Sequence, residues 1–123
     1  MADNKSLAGE IDALEALLGK IAAVTARDDD QRRFELVALR RELASRIASV
    51  GVAGEAVFGG SPHHADYRAK FSKMRSMAAI HQAQWPAVLL GERGDEFRAS
   101  AAAMKEANRD FMTWARQALA RSG

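Results

Sequence analysis

Cysteine is absent from this chain, and proline, tyrosine and histidine are scarce, at two, one and three residues of 123. Without cysteine there is no disulfide, no thiolate nucleophile and no thiolate zinc site. β-Branched residues are few beside abundant alanine, which disfavours sheet and favours helix. No apolar run approaches the roughly 20 residues that cross a bilayer, so no membrane partner is expected. The opening MADNKSLAGE is acidic and is no signal peptide, which makes the cytoplasm the expected location. A large excess of one charge is lacking too: the formal net charge is +2. Nucleic-acid proteins carry a denser basic stripe, so a nucleic-acid partner is not expected.

What is present suffices for a core. With 48% hydrophobic and 28% charged residues, positions 1–123 read as one helical domain. Leu7, Ile11, Leu14, Leu18 and Ile21, widened by Leu17 and Val24, form a seam from about Ser6 to Arg27, with Asp3, Asn4 or Ser6 as its cap. Asp28, Asp29 and Asp30 predict a turn and the cap of a second helix, since acids suit the positive end of a helix dipole. They lack the glycine and oxygen spacing of a calcium loop. The second helix is expected to reach about Ser49, with Phe34, Leu36, Leu39, Leu43 and Ile47 inward. The glycines of GVAGEAVFGGSP (51–62) then predict an irregular crossover, without the lysine of a phosphate loop.

The stretch Ser61–Leu90 holds every histidine, the tyrosine and both prolines. Ser61-Pro62 predicts a helix start. Tyr67, Phe71, Met74, Ala78, His81 and Trp85 recur at steps of three or four and make one face. Arg68, Lys70, Lys73 and Arg75 stand outside it, opposed only by Asp66. Trp85-Pro86 should end the helix. After a turn at Gly91–Gly94, with Asp95 as cap, a fourth helix places Phe97, Ala101, Met104, Phe111 and Ala118 on one face, with Trp114 and Leu119 beside them. Asn108 lies close to that seam and would fix register as a single polar residue does. The expected fold is all-α, an antiparallel up-and-down four-helix bundle.

Three chemistries can be weighed on the residues. His81 sits mid-helix, as the phosphoryl acceptor does in histidine phosphotransfer domains, which this chain resembles in size and architecture. Those domains place a basic residue three positions on and a glycine four on; here Gln84 and Trp85 stand there. By spacing His81 also shares the apolar face, which favours a core histidine bonded to a neighbour. His63 and His64 are adjacent, point apart, and have only Asp66 at near-helical spacing, so no metal and no cofactor are expected. No serine–histidine–acid set has a supporting context, and no catalytic residue is assigned: the chain is not expected to be an enzyme.

From Leu36 to Leu119 the pattern resembles hemerythrin-like bundle proteins of bacteria. The matching pieces are LRRELASRI (39–47), AVFG (56–59), RAKFSKM (68–74), the WP at 85–86 and a last amphipathic helix with an aromatic near its end. The resemblance implies the bundle fold. It does not carry the family's iron site, because Ser49 and Ala53 stand where that family has a histidine and a glutamate, and helices one, two and four contain no histidine. LEALLGKIAAV (14–24) and the helix after it resemble the hairpin of small secretion chaperones of the flagellar export system. The reading that joins these points is a non-catalytic interaction or regulatory module. Its expected surface is Arg68, Lys70, Lys73 and Arg75 beside the Gly51–Gly60 crossover, docking a protein with an acidic patch; a homodimer is compatible with it.

Overall fold

A computed structural model describes residues 2–89, 91 and 94–122. Among these residues there are four α-helices and no strand: α1 (Ala2–Ala26), α2 (Arg32–Phe58), α3 (His64–Gln84) and α4 (Gly94–Ser122), with a 3₁₀ turn at Ala87–Leu89 between the last two. None is long and apolar enough to cross a membrane. Leu90 lies outside the described residues, as do Glu92 and Arg93 of the expected turn before the fourth helix, Met1 and Gly123.

The α1 seam is as the spacing predicts, with Leu7, Ile11, Leu14, Leu17, Ile21 and Val24 buried. The helix begins earlier than predicted, so Asn4 and Ser6 are helical residues rather than caps. Once Leu7 anchors the first turn, extension adds about one hydrogen bond per residue and runs past weak caps.

The acidic turn needs a correction. Gln31, not an aspartate, holds the N-cap position of α2, and it makes no side-chain cap bond. The Asp29 carboxylate accepts instead from Arg27, at 2.7 Å from Nε and 2.6 Å from Nη2. That guanidinium draws the Asp29 pKa down to about 2, and it also bonds Glu35, whose pKa falls for the same reason. Arg32 reaches back to the carbonyls of Thr25 and Arg27, closing the end of α1. Arginines, not caps, hold this turn.

The larger correction concerns residues 51–58. They form no crossover; α2 runs unbroken to Phe58, and only Gly59–Pro62 turn. The buried seam Leu36, Leu43, Ile47, Val50, Gly54 and Phe58 keeps its period through the glycines. The glycines are there because aromatic rings of α3 lie on the α2 backbone. A Cβ on Gly54 would stand 2.4 Å from the Tyr67 ring and one on Gly51 2.9 Å from Phe71. Tyr67 Oη donates to the Gly51 carbonyl at 3.0 Å. Phe34, expected inward, is 75% exposed; two residues from Leu36 at 3.6 per turn, it faces the opposite side of the helix.

In α3 Tyr67, Met74, Ala78, His81 and Trp85 are buried and Phe71 packs on the same core. The regular helix starts at His64, preceded by a tight turn in which Ser61 Oγ accepts the His63 N–H at 3.2 Å. It stops at Trp85, before Pro86, as predicted. Arg40 of α2 caps this end, its Nη1 donating to the Trp85 carbonyl at 2.7 Å.

The four helices pack as a bundle, α1 extensively along α2 and α3 along α4, while α1 meets α4 only sparingly. The closed end holds an aromatic cluster of Phe58, Tyr67, Phe71, Phe111 and Trp114, with ring centroids 5.2–6.5 Å apart. Burial pushes the Tyr67 phenol up to about 12. Arg116 of α4 clamps the same end to α1, at 2.9 Å from Asp12 and 3.1 Å from Glu15.

Candidate functional site

Beyond that clamp the first and fourth helices part. The second half of α4 buries Ala107, Phe111, Met112, Ala115 and Ala118, whereas Phe97, Ala101 and Met104 in its first half are only half-buried. They face a cleft of about 780 Å³, within the size range of ligand sites. One wall is α1 from Glu15 to Ala26; the other is α4 from Gly94 to Met112. The α1 wall presents about three helical turns, roughly 16 Å, and the α4 wall about five, roughly 27 Å. The α1 wall is made low by Gly19, Ala22 and Ala26, and the floor by His81, Ile21 and Phe97. Below it a niche of about 20 Å³ separates His81, Arg40 and Gln82, room for one water-sized group.

Besides Thr25, whose hydroxyl donates to the Ile21 carbonyl at 2.7 Å, two uncharged polar side chains stand in this apolar surface among the described residues. His81, 5% exposed, holds Ser100 Oγ at 2.7 Å through Nδ1 and lies 5.3 Å from the Phe97 ring. Burial, then the nearby Arg40 charge, lowers its pKa below the ordinary 6.5. Asn108, also 5% exposed, lines the cleft and makes no hydrogen bond among the described residues. Its carboxamide is not sealed in, since no side-chain nitrogen or oxygen is both fully buried and unpartnered among these residues. It therefore ends at the cleft surface. Among the described residues four cations, Arg32, Arg98, Lys105 and Arg109, rim the cleft against one carboxylate, Glu15. Arg32 and Arg98 are engaged, with carbonyls of the first turn and with Asp95, and Glu15 is engaged by Arg116. Lys105 and Arg109 form no ion pair among the described residues and are exposed.

Two expected outcomes follow from these groups. His81 takes up a proton less readily in the fold, where burial lowers its pKa, than in the unfolded chain, where it does so near pH 6.5. The unfolded state therefore binds more protons in the window below 6.5, and stability falls there as pH falls, by at most about 1.4 kcal/mol per pH unit. Above 6.5 the residue contributes no slope. Urea titrations at pH 7.5 and 5.5 should show the loss in wild type and a smaller one in His81→Gln; equal losses would contradict it. For Asn108, a buried carboxamide without a partner costs about 1–3 kcal/mol. Asn108→Leu should raise stability by about 1 kcal/mol, since some solvent contact already softens that cost; a loss on urea titration would mean the amide is satisfied.

The basic residues singled out by sequence do not form one cluster. Lys70 is committed to Asp110 of α4 at 2.8 Å, Arg68 lies 3.8 Å from Glu55 of α2, and Arg75 sits over the Phe71 ring at 5.6 Å. Lys73 is exposed. His64 pairs with Glu55 at 2.9 Å, and His63 stands edge-on to Phe58 and Trp114. His63 and His81 are separated by about 27 Å of helix at 1.5 Å per residue. No three His, Asp or Glu side chains converge as a metal site would require, among the described residues. A di-iron centre does not fit this donor set: where its ligands would stand, Ser49 donates to the Ser45 carbonyl and Ala53 packs against the core.

Sequence reasoning passes over Lys105 and Arg109, and over Arg40, which is half-buried at the end of α3. The available signal is the row Gly19, Ala22 and Ala26, which is too small to fill the space beside a seam of leucines. Compared with known families, curated proteins and solved structures, the chain matches none.

Proposed function

We propose that this chain is a non-catalytic interaction module of the regulatory kind, and that it takes its protein partner in the cleft between α1 and α4. The observation that carries the reading is the unpartnered Asn108 carboxamide in an apolar cleft rimmed by uncompensated Lys105 and Arg109. A carboxamide that reaches the surface of a concavity without a protein partner is placed to pair with a ligand there. The bundle is read as antiparallel and up-and-down. In support, as residue numbers rise along one helix they fall along its neighbour: Lys70 meets Asp110 and His81 meets Ser100, while Glu10 meets Arg46 and Thr25 meets Arg32. A cytoplasmic location suits a chain without cysteine.

The basic row of α3 is the second surface, favoured by the exposed Lys73. Its neighbours weaken it, because an acidic partner must compete with Asp110 for Lys70 and with Glu55 for Arg68. A phosphotransfer role for His81 would require the ring to leave Ser100 and the core, since only 5% of the residue is exposed.

Cross-linking mass spectrometry on captured partners separates the two surfaces. Wild type is compared with Lys105→Glu/Arg109→Glu and with Lys70→Glu/Lys73→Glu/Arg75→Glu. The expected result is a partner cross-linked to Lys20, exposed on α1 beside Gly19 of the cleft wall, lost in the first variant and retained in the second. The reverse pattern would return docking to α3.

A further inference from the structure

Resting on that reading, we infer that the cleft's occupant is an acidic amphipathic helix of about three turns, supplied by a partner protein. The shorter wall sets the length: Glu15, Leu18, Ala22 and Ala26 span about three turns of α1, and Ala101, Lys105, Asn108 and Met112 are a stripe of the longer α4 wall. A cleft open along its length between two helices is filled by a third, whose apolar stripe meets Leu18, Ile21, Phe97 and Met104 as ridges meet grooves. Gly19 has open space around a built Cβ, so a backbone can approach α1 closely there.

The sign of the partner's charge follows from α4. Lys105 and Arg109 stand four residues apart on one helix face, a spacing at which like charges repel. No carboxylate answers them among the described residues, and the one on the opposite wall, Glu15, is taken by Arg116. Carboxylates flanking the partner's apolar stripe would relieve that repulsion. Asn108, on the α4 wall one turn from its Met112 end and without a hydrogen-bond partner among the described residues, would pair a polar side chain or a terminal backbone group of the incoming helix.

A designed peptide of about 15 residues tests this. It has leucines at every third or fourth position, glutamates on both flanks and blocked ends, and it carries a fluorescent label for anisotropy. Its controls are a scrambled order and a version with lysine in place of glutamate. Wild type should bind the acidic peptide at least tenfold more tightly than either control. Lys105→Glu/Arg109→Glu, both exposed changes, should reverse the preference toward the lysine peptide, and the Asn108 side-chain amide resonance should move on binding. An unreversed preference, or an unmoved Asn108 resonance, overturns the inference. So does a stable dimer in light scattering that the peptide fails to displace, because the occupant would then be a second copy. If the peptide fails but sodium decanoate shifts the Asn108 resonance, the helix is wrong and the cleft stands as the binding site. If neither shifts it, both readings fall.

Discussion

Gly54→Val is expected to cost about 3 kcal/mol or more, and so to leave much of the protein unfolded at ordinary temperature if its stability is near the low end of the usual 5–15 kcal/mol. The first added carbon alone would stand 2.4 Å from the Tyr67 ring, with a second ring carbon and the phenol oxygen both at 2.5 Å. That ring cannot swing away, since it is 1% exposed, packed among Phe58, Phe71, Phe111 and Trp114, and tethered through Oη to Gly51. Helix propensity works the other way: replacing a mid-helix glycine should by itself gain about 1 kcal/mol. The experiment therefore opposes two effects of different sign, and the larger decides. Gly9, also helical but with no atom near a built Cβ, is the control: Gly9→Ala should stabilise while Gly54→Ala destabilises. Urea midpoints for the pair give the answer, and a stabilised Gly54→Ala would mean that α2 and α3 are not in contact there. A double-mutant cycle with Tyr67→Leu should show coupling, because the smaller side chain gives the new carbon room.

Those two glycines also mark where the sequence is legible and where it is not. In α3 every predicted inward position is on the core side, because large side chains repeating at helical spacing have one way to be buried. Glycine carries two opposite messages, a break in a helix or a close approach to one. Which applies at Gly51 and Gly54 depends on Phe71 and Tyr67, a loop and more than a dozen residues away, so local pattern cannot decide it. Partnership is hidden in the same way. The exposure of Lys70 can be read from its own helix, but its pairing with Asp110 belongs to the packing of α3 on α4.

The cleft is the least legible feature, since it is packing that does not happen. Phe97, Ala101 and Met104 have the period of a core face, and Leu14, Leu18 and Ile21 have it on the other side. Nothing local says that these two faces stop meeting beyond Arg116. Asn108 can be read as a polar residue close to a seam, but its lack of a partner is visible only once α1 is seen to stand off.

Phe111→Ala is expected to cost about 3–5 kcal/mol, against about 1–2 kcal/mol for Phe97→Ala, a residue of the same size but only half-buried. Phe111 is 0% exposed and touches Tyr67 and Phe71, with centroids 6.3 and 5.7 Å away. Truncating it opens a void in the aromatic cluster that joins α2, α3 and α4, where surrounding rings cannot collapse inward. Phe97 packs at the edge of the core, its ring contacts among the described residues being His81 and Trp85, and its far side faces the cleft. Stability is thus concentrated at the end closed by Arg116, while the cleft end is held by fewer buried contacts. Elements that must adjust to a partner are drawn from such low-stability regions. Amide hydrogen exchange tests the division directly. Phe111→Ala should speed exchange throughout the bundle, by global unfolding, whereas Phe97→Ala should speed it mainly in the first turns of α4. Uniform acceleration in both variants would mean that the two ends unfold as one unit, and the cleft would then be a rigid slot whose partner must fit it as it stands.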